Sequence, residues 1–550
     1  MKASCPYRLA RPSAWTSAWT CVLPSFGALL VLLSACGTVP TPEPARVPAA
    51  KPTAAGTPGP VEGSAPQSLL ARYHGVNRLT WGASTSAMAH AAGKDFNTLL
   101  AEQLAPGPAP LPAAAQAQID ALTLSQQRFT SLMFDLEQRR RAADALKNDD
   151  EKRAAQQAYQ QELTRLAREA ASRHLLRALY SPRQVQEQMT WFWLNHFSVF
   201  QNKANIRAMV GDYEDTAIRP HALGRFRDLL GAAALHPAML RYLDNEQNAL
   251  NRSNENLARE LMELHTLGAG APYTQKDVQE LARVLTGAGL NLTPTNTAVG
   301  RRELQGDYVR RGLLEFHPAR HDFGPKTLLG QPLRQRGLAE VDEALDRLAR
   351  HPATARHISH KLVQYWLSDT PPPALVERVA QAFSDSDGDI AIALRTLLRS
   401  PEFAQGAGRQ FKDPMRFVVS ALRLMHDDRV VLNTAPILFW LNRLGQPLYG
   451  RQTPDGWPLD EAAWSSPGQM TARFEVARTI GSGAGGLFSP PGAPQPPGPA
   501  LPGLPGATRA LYDEVLQQSL GPGTRAALAQ AGSPQEWNAF LLSSPEMMRR

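Results

Sequence analysis

The densest group of chemically capable side chains lies in Asn254-Glu255-Asn256-Leu257-Ala258-Arg259-Glu260-Leu261-Met262-Glu263-Leu264-His265-Thr266-Leu267-Gly268. On a helix, Glu255, Arg259 and Glu263 fall at i, i+4 and i+8 and share one face, while Glu260 and Glu263 are neighbours at i, i+3. Two carboxylates with a nearby histidine can hold a divalent metal or divide acid and base roles. Glu260, Glu263 and His265 are therefore the metal candidates. Helical geometry resists the simplest version, because His265 stands roughly 140° from Glu260 and roughly 200° from Glu263 around the axis. It joins them only if the helix ends near Leu264, which Gly268 as a C-terminal cap allows. The competing expectation is a buried Glu–Arg–Glu network that ties helices together.

Further candidates stand elsewhere. Asn195 and His196 sit in Trp191-Phe192-Trp193-Leu194-Asn195-His196-Phe197-Ser198-Val199-Phe200, where helical spacing surrounds the histidine with Phe192, Trp193, Val199 and Phe200. That pattern reads first as a hydrogen-bonded core histidine, and second as an aromatic wall for a sugar or other flat ligand. His317, His321 and Asp322 have a spacing found in metal sites when helical, but Gly324-Pro325 points to a loop. Asp385-Ser386-Asp387-Gly388-Asp389 fails as a calcium loop: its glycine is fourth rather than sixth, and Thr396 stands where a bidentate glutamate is needed. Asp389 reads instead as a helix cap. No Gly-x-Ser-x-Gly elbow, phosphate-binding loop or His-Glu-x-x-His pair occurs.

These residues need elements to position them, and the elements read as helices. A polar residue before proline recurs as a start signal at Ser181-Pro182, His236-Pro237, His351-Pro352, Ser400-Pro401 and Ser544-Pro545. Thr274 to Asp277 has the spacing of a capping box. Residues 113–178, rich in Ala, Gln, Leu, Arg and Glu and broken at Asn148-Asp149-Asp150, read as a long helical hairpin. The expected fold is all-α, a large irregular multi-helix domain with little or no sheet. The domain would run over residues 69–480, followed by a Pro/Gly-rich loop at 481–506 and a closing helical segment at 507–550.

The three cysteines, Cys5, Cys21 and Cys36, all lie near the N-terminus. Everything after them therefore lacks a disulfide, an iron–sulfur cluster, thioether-linked haem or a cysteine nucleophile. Lys2, Arg8 and Arg11 precede the apolar run Phe26-Gly27-Ala28-Leu29-Leu30-Val31-Leu32-Leu33, which is too short to span a bilayer. The run ends in Leu33-Ser34-Ala35-Cys36-Gly37, similar to a bacterial lipobox. The expectation is a signal peptide over 1–35, lipidation of Cys36, and a Pro/Ala-rich tether over 36–68. Gly37 after the cysteine favours the outer membrane. The formal charge of +8 includes those three N-terminal basic residues, and residues 1–35 contain no acid. The remainder carries an ordinary surplus with interleaved signs, which argues against nucleic-acid binding.

A resemblance adds to this. His74-Gly75-Val76-Asn77-Arg78-Leu79-Thr80-Trp81-Gly82, Trp193 to Val199, Ile218-Arg219-Pro220-His221-Ala222-Leu223-Gly224, Asn254 to Gly268, Tyr273 to Val278, His321 to Gly330 and Gly456-Trp457-Pro458 occur in order. Together they resemble the bacterial domain-of-unknown-function family numbered eighteen hundred, over nearly everything after residue 70. The resemblance implies a large exported protein and supplies no catalytic residues. Arg219 and Asn254 complete the candidate set. Two functions stay open. One is a tethered helical binding or scaffold domain for an envelope protein or polysaccharide. The other is a metal-dependent hydrolase or oxidoreductase with a His/carboxylate site, for which a divalent metal is the implied cofactor.

Overall fold

Eleven of the 13 residues in the helix Gln184–His196 are buried, so this helix is apolar nearly all round and runs through the core. Its tryptophan and phenylalanine rings pack against partners from distant segments: Trp193 meets Phe226 at 5.8 Å between ring centres, and Phe192 meets Tyr365 at 5.0 Å. Each such ring removed from water contributes about 1.5–3 kcal/mol. Of the polar side chains carried inward, Gln184, Glu187, Gln188 and Thr190 have hydrogen-bond partners, whereas His196 Nδ1 has none among the described residues. Gln188 donates to the Leu79 carbonyl at 3.0 Å and accepts from Arg550 at 2.8 Å.

The computed structural model describes residues 68–550 apart from 106, 108–109, 428, 484–485, 491 and 493–505. The expected signal peptide, Cys36, the tether up to residue 67 and most of the Pro/Gly-rich loop lie outside the described residues. Of the described residues, 62% are helical, with 25 α-helices among them, and only 4% are strand, so the fold is all-α. The strands form two small antiparallel patches. One has three strands in the order Ala288–Leu290, Leu314–Phe316, Val309–Arg311, and the other pairs Thr327–Leu328 with Gln331–Pro332. Among the described residues no helix is long and apolar enough to cross a membrane.

Local chemistry explains most helix starts. Asn148 accepts from the Asp150 and Glu151 amides and begins Asp149–Tyr180, the long arm of the hairpin with Phe129–Ala145. Asp149, Asp150 and Glu151 in its first turn suit the positive end of the helix dipole. Thr274 and Asp277 form the reciprocal capping box. Asp389 caps Ile390–Leu398, accepting from Ile392. His236 and His351 act as caps through Nδ1, each accepting from the amide two residues on at 3.1 Å. Two expected starts differ from the others. Ser181 and Ser544 each donate their own amide to the preceding helix, as Ser400 and His236 also do at starts that hold. After Ser181 the next helix starts at Gln184, and after Ser544 there is only a turn.

Candidate functional site

The segment Asn254–Gly268 begins as an α-helix over Asn256–Glu260 and widens into a π turn over Leu261–His265. The wider turn exits through two contacts. Thr266 Oγ1 donates to the Leu261 carbonyl at 2.6 Å, and the Gly268 amide donates to the Met262 carbonyl at 3.2 Å with φ +91°. A helix end leaves carbonyls without partners, and here two imidazoles supply the donors. His196 Nε2 donates to the His265 carbonyl at 3.0 Å, and His357 Nε2 donates to the Leu264 carbonyl at 3.1 Å. A carbonyl only accepts, so both rings carry their proton on Nε2 when neutral.

His196 is the last residue of its helix, so Val199 and Phe200 do not complete the expected helical face. Its ring meets Phe197 at 4.6 Å, Trp193 at 5.4 Å, His265 at 5.7 Å and His357 at 6.2 Å. His265 is fully buried, and neither of its ring nitrogens has a hydrogen-bond partner among the described residues. Lys361 lies one turn beyond His357 on the helix Pro352–Trp366 and is partly exposed. Burial lowers the Lys361 ammonium to about 8 and the His357 ring to about 4. It lowers His265 to about 3, with the charge of Lys361 adding to the effect.

On the other side of the π turn, Glu260 and Glu263 are half-buried and meet no hydrogen-bond or ion-pair partner among the described residues. Burial, reinforced by repulsion from Glu263, raises the Glu260 carboxyl. Asn195 closes the edge of this region. Its Nδ2 donates to the Trp457 carbonyl at 2.9 Å and its Oδ1 accepts from the Trp457 amide at 2.5 Å. The Gly456-Trp457-Pro458 loop is thereby held against the end of the Gln184–His196 helix. Asp455, at the loop's start, is the acidic group whose field reaches both Glu260 and Lys361.

Residues 74–549 match the family described as protein of unknown function (DUF1800). The chain belongs to that family. No curated protein and no solved structure matches it.

Within the DUF1800 region the proposed metal trio does not form. His265 turns inward onto His196 and Phe197, while Glu260 and Glu263 stay on the partly exposed side. Among the described residues no group of three or more His, Cys, Asp or Glu stands where it could hold a metal ion. The Glu–Arg–Glu network is only half made. Glu255 and Arg259 pair at 2.9 Å and share Gln275, but the π turn rotates Glu263 off their face. Asn254 shapes the entry to the helix, its Oδ1 accepting from the Asn256 amide.

The other candidates are internal fasteners. Arg219 pairs with Glu187 and Glu214, and Glu214 also accepts from Tyr449 at 2.5 Å and meets His174 at 3.0 Å. Burial opposes the charge on Glu214, yet His174 and Arg219 hold it well below the usual carboxylate range. His321 bonds the Thr286 carbonyl and faces Glu340, which pairs with Lys326 at 2.7 Å. Asp322 pairs with Arg283 at 2.7 Å, and a 3-10 turn at Pro318–Arg320 separates His321 from His317. The helical metal spacing is therefore absent. His357, Lys361 and Asp455 stand outside the sequence candidates. The i, i+4 placement of His357 and Lys361 on a helix whose start at His351-Pro352 was readable could have marked that pair.

Proposed function

We propose that this chain is an envelope-anchored lipoprotein, tethered through Cys36, whose helical body works by binding a partner in the envelope or outside the cell. The observation that carries the reading is the contrast between paired and unpaired groups. Arg219, His321, Asp322, Glu255 and Arg259 are committed to neighbours, whereas Glu260 and Glu263 stand together, partly exposed and without a partner among the described residues. Two adjacent unneutralised carboxylates beside Tyr242 and Tyr273 suit a polyhydroxylated or cationic surface such as polysaccharide.

The test compares the full-length protein with Glu260→Gln/Glu263→Gln by sedimentation with purified envelope polysaccharide. Co-sedimentation lost in the folded variant supports binding at this site, and equal co-sedimentation overturns it. Labelled palmitate should enter the protein and not Cys36→Ala, and a freely released wild-type chain would remove the anchor. Metal analysis guards the enzymatic alternative. A stoichiometric metal that Glu260→Ala or His265→Ala loses without unfolding would replace the binding reading with a metalloenzyme.

A further inference from the structure

Arg423, on the helix Pro414–Met425, is 8% exposed, and its guanidinium forms no ion pair among the described residues. Backbone carbonyls fix two of its nitrogens. Nε donates to Gly82 at 3.1 Å, and Nη1 donates to Leu179. Packing sets the first contact, because a Cβ on Gly82 would stand 2.5 Å from Ser420 Cβ, one turn before Arg423. The third nitrogen, Nη2, has no partner among the described residues and is not sealed from solvent. The planar fork is thus held in one orientation with a donor left over.

Arg423 stands in the wall of a cavity of about 360 Å³, within the roughly 300–1,000 Å³ of small-ligand sites. Val76 and Leu79 from Leu69–Leu79, Leu99 from Phe96–Leu104 and Leu179 from Asp149–Tyr180 give it an apolar lining. Other polar side chains in the wall are engaged by the protein. Gln184 accepts from the Trp81 amide at 2.9 Å and donates to the Ser181 carbonyl at 2.8 Å. Gln103 accepts from the Val185 amide at 3.2 Å and donates to the Pro182 carbonyl at 2.9 Å. The Tyr180 hydroxyl accepts from the Val431 amide at 2.9 Å. Asp427, on the partly exposed side, has its carboxylate met by the Ser86 amide at 2.6 Å and the Ser86 hydroxyl at 2.9 Å. Of these five side chains, Arg423 alone keeps a nitrogen or oxygen without a partner.

We propose that this cavity binds a small apolar molecule carrying one carboxylate, a medium-chain monocarboxylic acid. The carboxylate accepts from Arg423 Nη2, a charge-assisted bond in a setting largely screened from water. The chain lies along Val76, Leu79, Leu99 and Leu179, where each methylene leaves water. No residue of Asn254–Gly268 lines the cavity, so this site stands or fails separately from the binding reading above.

The experiment titrates the full-length protein with octanoate by isothermal calorimetry at neutral pH. Octanamide is the uncharged counterpart, and hexanoate is two methylenes shorter. Octanoate should saturate one site. Octanamide should bind about tenfold more weakly or worse, the loss of one charge-assisted hydrogen bond. Hexanoate should bind about fifteenfold more weakly, roughly fourfold per methylene. Arg423→Met should erase the preference for octanoate over octanamide. Ala87→Phe, at a half-buried position in the cavity wall, fills the space and should abolish binding of both, its fold checked by the urea midpoint. No saturable octanoate binding, equal binding of octanoate and octanamide by wild type, or binding that Ala87→Phe leaves intact overturns the site.

Discussion

A Cβ on Gly456 would stand 2.2 Å from the backbone oxygen of Asn195. The loop carrying Asp455 and Trp457 can therefore close on the end of the Gln184–His196 helix only with glycine at that position. Its φ of +78° adds a second demand, since a left-handed residue with a side chain costs about 1–2 kcal/mol. Gly456→Ala should destabilise the protein by about 2–4 kcal/mol in urea unfolding. Wild-type stability in that variant would show that the loop does not make this approach.

Arg219 offers a different kind of test. Its guanidinium is buried between Glu187 and Glu214, so removing it leaves two interior carboxylates without their main cation. Arg219→Ala should cost about 3–5 kcal/mol. Arg219→Lys should recover only part of that, because an ammonium cannot reach two carboxylates with the planar fork of arginine. Full recovery by lysine, measured as the urea midpoint, would contradict the paired geometry.

The parts that could be read from sequence are those decided within a few residues. The Thr274–Asp277 box, the Asp389 cap and the Glu255–Arg259 pair each close over three or four positions. Local spacing misleads where the residues that follow do not carry it on. Ser181 and Ser544 look like starts, but their hydroxyls cap only a turn, accepting from the Arg183 and Met547 amides. Glu263 belongs to the Glu255 face only if the turn stays α, and Thr266, Gly268 and two distant histidines make it π. His357 grips a carbonyl 93 residues away, a relation no local period encodes.

Acid should weaken the fold through these histidines. Free imidazole titrates near 6.5, whereas burial lowers His357 to about 4 and His265 to about 3. Between those values the unfolded chain binds more protons than the folded one, so stability is complete above about pH 6.5 and drains as pH falls. His357 alone accounts for about 3 kcal/mol across its window. His196, whose burial lowers it well below its ordinary value, acts in the same direction. Most carboxylates with lowered values, Asp322 and Glu214 among them, act only at lower pH. Urea midpoints measured from pH 7 to pH 4.5 should therefore decline in wild type and less steeply in His357→Gln. A flat profile over that range would mean the rings are hydrated.

Glu260 and Glu263 make the opposite demand on a proton. Burial raises the Glu260 carboxyl, and the charge on Glu263 raises it further. Protonation relieves that repulsion, so Glu260 keeps its proton to higher pH than an isolated glutamate and can donate a hydrogen bond to a ligand. Glu263→Gln removes the repulsive charge and leaves burial in place. Carbon-13 titration of the glutamate side chains should show Glu260 falling toward, but not reaching, the ordinary glutamate value. An unchanged Glu260 titration would show that the two carboxylates do not sense each other, and the paired acidic site would lose its physical basis.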